Sequence, residues 1–104
     1  MDTIHLESFL TRKDKMNEYD KYLTNIDKIY NHYGQDNQLN KLVEEIGELL
    51  IAISKKDEVN MWEEMADVEV LIDQFKRNGI GKFNFDELKF QKAQRQVDRI
   101  EAEN

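Results

Sequence analysis

A chain of 104 residues with 22 acidic against 15 basic side chains and a formal charge of −7 is sized for one domain, 1–104, with a modest core. Its charge argues against a general nucleic-acid binder. The chain has no cysteine, no proline and only four glycines, which removes disulfides and thiolate chemistry and disfavours folds built from strands and tight turns.

The first eleven residues are ambiguous. The opening run MDTIHLESFL has neither the basic start nor the apolar stretch of a signal peptide. No segment approaches the roughly 18 apolar residues of a membrane span. A cytoplasmic protein without membrane association is therefore expected. From Asp14 to Tyr33, apolar residues fall at Met16, Tyr19, Leu23, Ile26, Tyr30 and Tyr33, alternating steps of three and four, which is the stripe of an amphipathic helix. Gly34 stands where a helix C-terminus favours glycine. A second helix is predicted from Asn37 to Ser54, with Leu39, Leu42, Val43, Ile46, Leu49, Leu50 and Ile53 apolar. Lys55, Lys56 and Asp57 form a break too short to cross a bundle, so the third helix should run antiparallel to the second. That helix extends to about Arg77 with Val59, Trp62, Met65, Ala66, Leu71, Ile72 and Phe75, and Asn78-Gly79-Ile80-Gly81 reads as its stop. A last helix begins near Asp86 and carries only Leu88, Val97 and Ile100 among many charges, so it should fray or pack on a partner subunit. The expected fold is all-α, an antiparallel four-helix bundle-like arrangement to which a homo-oligomer adds burial.

The chemistry lies in two short stretches, Leu42-Val43-Glu44-Glu45-Ile46-Gly47-Glu48 and Trp62-Glu63-Glu64-Met65-Ala66-Asp67. Residues three apart on a helix are surface neighbours, so Glu45 and Glu48 point one way, as do Glu64 and Asp67. Adjacent antiparallel helices can face the two pairs across their seam. With 22 acids in the chain, either pair alone reads as ordinary solvated charge. Together they border core positions, and the small Ala52 and Ala66 leave room beside them. Acid at a buried edge is unfavourable unless something pairs it, and four converging carboxylates call for a counter-charge. All-oxygen donors suit Mg²⁺, Mn²⁺ or Ca²⁺ rather than zinc or copper. Histidine is absent from both motifs, which argues against the Glu-x-x-His pattern of di-iron bundles.

Glu44-Glu45-Ile46-Gly47-Glu48, a sixteen-residue step from Glu48 to Glu64, and Glu64-Met65-Ala66-Asp67 resemble the EExxE…ExxD signature of the MazG-like all-α nucleoside triphosphate pyrophosphatases, especially their short single-domain phage and bacterial members. The resemblance spans roughly residues 30 to 100. It implies that Glu45, Glu48, Glu64 and Asp67 hold Mg²⁺, with Mn²⁺ as an alternative. It further implies hydrolysis of a nucleoside triphosphate to the monophosphate and pyrophosphate, with one of these acids or Glu44 as general base. Such activity serves nucleotide-pool housecleaning, and relatives are homodimers or homotetramers.

An acidic protein needs a cation to receive a triphosphate, and basic groups must meet the leaving pyrophosphate. Lys89, Lys92, Arg95 and Arg99 lie on the last helix, and Lys92-Ala93-Gln94-Arg95 resembles the K-x-x-R element of relatives. Gln38 and Lys41 precede Glu45 on much the same face and are candidates to touch phosphate or carboxylate. Tyr30, His32, Tyr33 and Trp62 are candidates to stack on a base, although aromatics at helical spacing are more often core. Several relatives carry an aromatic residue where this chain has Leu71. The alternative is a non-catalytic helical bundle that binds a partner protein, a metal or a regulatory nucleotide.

Overall fold

The structure, a computed structural model, describes the backbone of residues 3–79 and 84–103 and the side chains of residues 17–79 and 84–103. Four helices make up the described residues: α1 (Thr3–Tyr33), α2 (Gln35–Ser54), α3 (Glu58–Asn78) and α4 (Phe85–Glu103). Helices α2 and α3 begin and end within two residues of the positions read from the sequence, and α4 begins one residue before the expected Asp86. The first begins at Thr3 rather than near Asp14, because nothing in the preceding run breaks a helix even though its apolar pattern is irregular. The Met16 side chain and the expected loop residues Ile80 and Gly81 lie outside what is so described.

Gly34 joins α1 to α2 with no loop. Its N–H donates to the Tyr30 carbonyl at 2.8 Å and its own carbonyl accepts from the Gln38 N–H at 3.1 Å. One residue thus closes one helix and opens the next. The cost is a backbone at φ 84, ψ 164, a region that only glycine visits freely. A Cβ placed there would meet nothing within 4 Å, so the penalty for a side chain is wholly conformational. Gly34→Ala is expected to lower unfolding stability by about 1–3 kcal/mol. An unchanged denaturant midpoint would show that the backbone there is unstrained.

The α2–α3 connection is equally tight. Lys56 adopts a positive φ of 56, its N–H bonds to Ile53 O at 3.1 Å, and the Asp57 N–H reaches Ala52 O at 3.1 Å. These are the paired bonds of a Schellman stop. Asp57 then caps α3 by accepting from the Asn60 N–H at 3.2 Å.

Cross-helix contacts give the directions. Gln38 donates to Gln74 at 2.8 Å, and Glu45 further along α2 meets Glu64 further back along α3, so the pair is antiparallel as expected. On α1, Tyr22 donates to Asp73 Oδ2 at 2.7 Å, and Asp27 takes both Nε and Nη2 of Arg77 at 2.9 Å and the Asn78 amide at 2.8 Å. Rising numbers on α1 meet rising numbers on α3, so those two run parallel. The Arg77 and Asn78 hydrogen bonds hold the Asp27 carboxyl down at about 2. Burial, and then the Asp73 carboxylate, push the Tyr22 phenol well above its ordinary value.

The apolar core is small, with Ile26, Ala52 and Leu71 fully enclosed. On α2 the buried positions are Gln38, Glu45 and Ala52, one heptad apart, flanked by half-buried Leu42 and Leu49. Four other apolar residues of α2 form a second stripe, Val43, Ile46, Leu50 and Ile53, which is exposed. Val59 and Trp62 of α3 are also exposed, Trp62 at 68%. A tryptophan in a helical apolar pattern would ordinarily be core, but only one side of the α2–α3 hairpin is covered, by α1. Helix α4 buries no residue. It touches α3 through Lys76, which pairs with Asp86 at 3.1 Å and lies over the Phe85 ring at 5.4 Å. Among the described residues, no helix is long and apolar enough to cross a membrane.

Candidate metal centre

The antiparallel seam brings Glu45, Glu48 and Glu64 together, with one oxygen from each lying within 4.8 Å of the others. Their settings differ. Glu45 is 6% exposed, Glu64 is half-buried and Glu48 is open to solvent. The group therefore forms a wall with one wet side, which suits an ion that keeps waters and substrate oxygens.

Its electrostatics are unfavourable as they stand. Glu45 Oε2 and Glu64 Oε2 are both buried without a hydrogen-bond partner. Each is an acceptor facing other acceptors, so nothing within the trio satisfies both except a shared proton or a cation. Burial, followed by the neighbouring Glu45 and Glu48, pushes the Glu64 carboxyl up to about 7. Burial also works against charge on Glu45, but the proton shared by Glu64 and the contacts with Lys41 and Glu48 outweigh it and hold Glu45 below the usual value. Two orphaned oxygens in an all-carboxylate donor set are what a hard divalent cation would satisfy. The residues present fit that ion.

Lys41 contributes the nearby positive charge. Its Nζ lies 3.2 Å from Glu45 Oε1 and 3.6 Å from Glu44 Oε1, and the hydrogen bond to Glu45 leads in raising its pKa. Of the two roles read from sequence, phosphate or carboxylate contact, it is engaged in the second. Glu44 is exposed on the rim of the cluster.

A cavity of ≈ 600 Å³ opens beside the carboxylates, within the usual range for a small-molecule site. Glu45, Asp67 and Lys41 line it together with Gln38 and Gln74. Asp67 thus borders the same space as Glu45, while the close trio comprises the three glutamates. Stepping seven residues along α2 and back along α3 from the Gln38–Gln74 hydrogen bond arrives at Glu45 and Asp67, and three more at Glu48 and Glu64.

Among the aromatic candidates, Tyr33 lines this cavity. Tyr30 instead donates to Gln35 at 3.1 Å and meets Phe75 edge-on, and exposed His32 packs against Tyr33. Trp62 stands outside the cavity lining, and Ala66 is exposed, so it provides no enclosed space. Lys92 and Arg95 are exposed on α4, which contributes nothing to the cavity's described lining. Reading the sequence did not single out Gln74, which is 1% exposed. The available signal was the repeated seven-residue step, Gln38 to Glu45 on α2 and Asp67 to Gln74 on α3.

In comparison with known families, a family model described as the MazG nucleotide pyrophosphohydrolase domain matches residues 34–89. The match starts at the Gly34 junction and takes in α2, α3 and the start of α4, whereas Ile29 and Tyr33 of the cavity wall precede it. No curated protein and no solved structure matches the chain.

Proposed function

Given that the chain belongs to the MazG nucleotide pyrophosphohydrolase domain family, we propose that it hydrolyses a nucleoside triphosphate between the α- and β-phosphates, releasing the monophosphate and pyrophosphate, with Mg²⁺ or alternatively Mn²⁺ as cofactor. The observation that supports this most is the three-glutamate wall with its two orphaned oxygens.

In this reading Glu45, Glu48, Glu64 and Asp67 hold the cation. When bound, Mg²⁺ supplies the positive charge that lets a −7 chain accept a triphosphate and draws electron density from the phosphoryl oxygens. A water attacks the α-phosphorus in line, its proton passes to a carboxylate, and the bond to the bridging oxygen breaks to release pyrophosphate. Glu44, at the rim and not needed as a ligand, is one of the five acids able to take that proton. Lys41 keeps Glu45 ionised and stands close enough to the cavity to meet phosphate oxygens. Lys92 and Arg95 bracket the leaving group, the arginine through its bidentate fork.

A homodimer or homotetramer belongs to the same proposal. The exposed stripe Val43, Ile46, Leu50 and Ile53 has the spacing of a helix–helix seam, and α4 buries nothing in its own chain, so an assembly would cover both.

The test is a pyrophosphate-release panel over canonical, deoxy and damaged triphosphates, with and without Mg²⁺. The hydrolase reading expects cation-dependent release from at least one of them. The rival bundle that only binds a protein, metal or regulatory nucleotide expects none. Lys92→Ala and Arg95→Ala should each raise KM roughly tenfold or more, the worth of a charge-assisted contact. Unchanged kinetics in both would return α4 to the solvated surface.

A further inference from the structure

We infer that the side-chain amides of Gln38 and Gln74 are the base-reading pair of this site, and that they set which triphosphate is accepted by hydrogen-bonding the edge of its nucleobase. The inference rests on the reading that the ligand is a nucleotide.

Position is the first argument. Both residues line the cavity that Glu45 and Asp67 also line, each seven residues from the acid on its own helix. Seven residues of helix rise about 10 Å, comparable to the reach from a nucleotide's α-phosphate to the far edge of its base. With the α-phosphate at the carboxylates, a base directed along the seam arrives at the amides. Ile29, Val70 and Leu71 supply apolar wall in the same cavity, suited to the faces of a flat ring.

The second argument counts hydrogen-bonding capacity. A primary amide offers two N–H donors and an oxygen with two lone pairs. Gln38 Nε2 donates to Gln74 Oε1 at 2.8 Å, and among the described residues this is the one hydrogen bond either amide makes. It leaves the Gln38 oxygen as an acceptor and the Gln74 nitrogen as a donor, side by side. Rotating both amides exchanges the two roles but still leaves one acceptor beside one donor. That pattern is how amide side chains engage a base edge bidentately. The residues are 6% and 1% exposed, so both amides are held in place by the packing around them while their free groups border the cavity. A tie between α2 and α3 alone would be made as well by two apolar side chains of similar shape. An amide pair in a cavity gains its use when a polar ligand edge completes it.

The experiment uses the full-length chain with Mg²⁺ and measures kcat/KM for the four ribo- and four deoxyribonucleoside triphosphates in the wild type, Gln38→Leu and Gln74→Leu. Thermal melts are run alongside. In the wild type, the Gln38 and Gln74 side-chain NH₂ resonances are also followed by NMR while each nucleoside monophosphate is added. The expected result is a best-to-worst base ratio that collapses roughly ten- to hundredfold in either variant, the loss falling on the preferred base, together with amide shifts induced by the matching monophosphate. Variants that melt earlier yet keep the wild-type base ratio would overturn the inference and leave hydrolysis standing. So would amides unmoved by any monophosphate in an active enzyme. Amides that respond to nucleotides in a chain with no turnover would support the pair and remove the hydrolase reading. Should a leucine variant fail to fold, the wild-type NMR titration decides alone.

Discussion

Stripped of divalent cations, the protein is expected to become less stable as the pH is raised from about 4.5 to about 7, and Mg²⁺ is expected to reverse that fall. The sign follows from Glu64. Its carboxyl titrates at about 7 in the folded chain against an ordinary value of 4.5, so across that window the folded state holds a proton that the unfolded state has released. Stability therefore falls with rising pH. Glu45 is shifted the other way; its contribution is present above the ordinary carboxylate value and is lost below it, outside this window. Cation binding needs the ionised trio, so Mg²⁺ affinity should rise by up to about tenfold per pH unit until Glu64 has titrated. At a hundredfold excess over Kd the ion adds about 2.7 kcal/mol, which for a domain this small is a Tm increase on the order of 10 °C. Thermal melts from pH 4 to 9, with chelator and with Mg²⁺, measure both curves. Glu64→Gln should flatten the chelated curve and lose most of the Mg²⁺ increment. A chelated wild type whose Tm does not fall across the window would show that the three glutamates are not crowded in solution.

Glu48→Gln and Asp67→Asn are expected to lower turnover by roughly 10²–10³-fold, the scale of removing one preorganised electrostatic contact to the reacting group, with helical content unchanged by circular dichroism. Neither side chain is buried, so neither change should disturb packing. The two variants examine different parts of the site. Glu48 belongs to the close trio, whereas Asp67 borders the cavity beside Glu45. A normal rate in the Asp67 variant would confine the catalytic acids to the glutamates. A normal rate in the Glu48 variant would remove the metal assignment altogether.

Much of this architecture was legible before any coordinates. Steps of three and four in the apolar residues give α2 and α3 nearly to the residue. The helix stops at Gly34 and at Lys55–Asp57 are local chemistry, and once the hairpin is short, i, i+3 acid pairs on its arms must face one another. Three features were not legible. Gln74 sits in the run Asp73-Gln74-Phe75, which reads as partly solvated, and its burial depends on meeting Gln38 from another helix. Trp62 and Val59 satisfy the apolar pattern of a core, yet whether a patterned face is covered depends on how many helices pack, which periodicity does not encode. The start of α1 lacks a stripe but also lacks a breaker, and helix propensity alone carries it back to Thr3.

The hairpin also acts as a ruler. From Glu48 the chain climbs six residues to the end of α2, turns through Lys55, Lys56 and Asp57, and descends six residues to Glu64. A single inserted residue in either arm would swing everything between it and the turn, relative to its opposite number, by about 100°. One carboxylate would then point away from the other. Substitutions along the arms can be absorbed, but insertions and deletions between these two acids cannot, unless they come as whole heptads in both arms at once. Sequences that share this site should therefore differ freely in lettering across this interval while keeping its length.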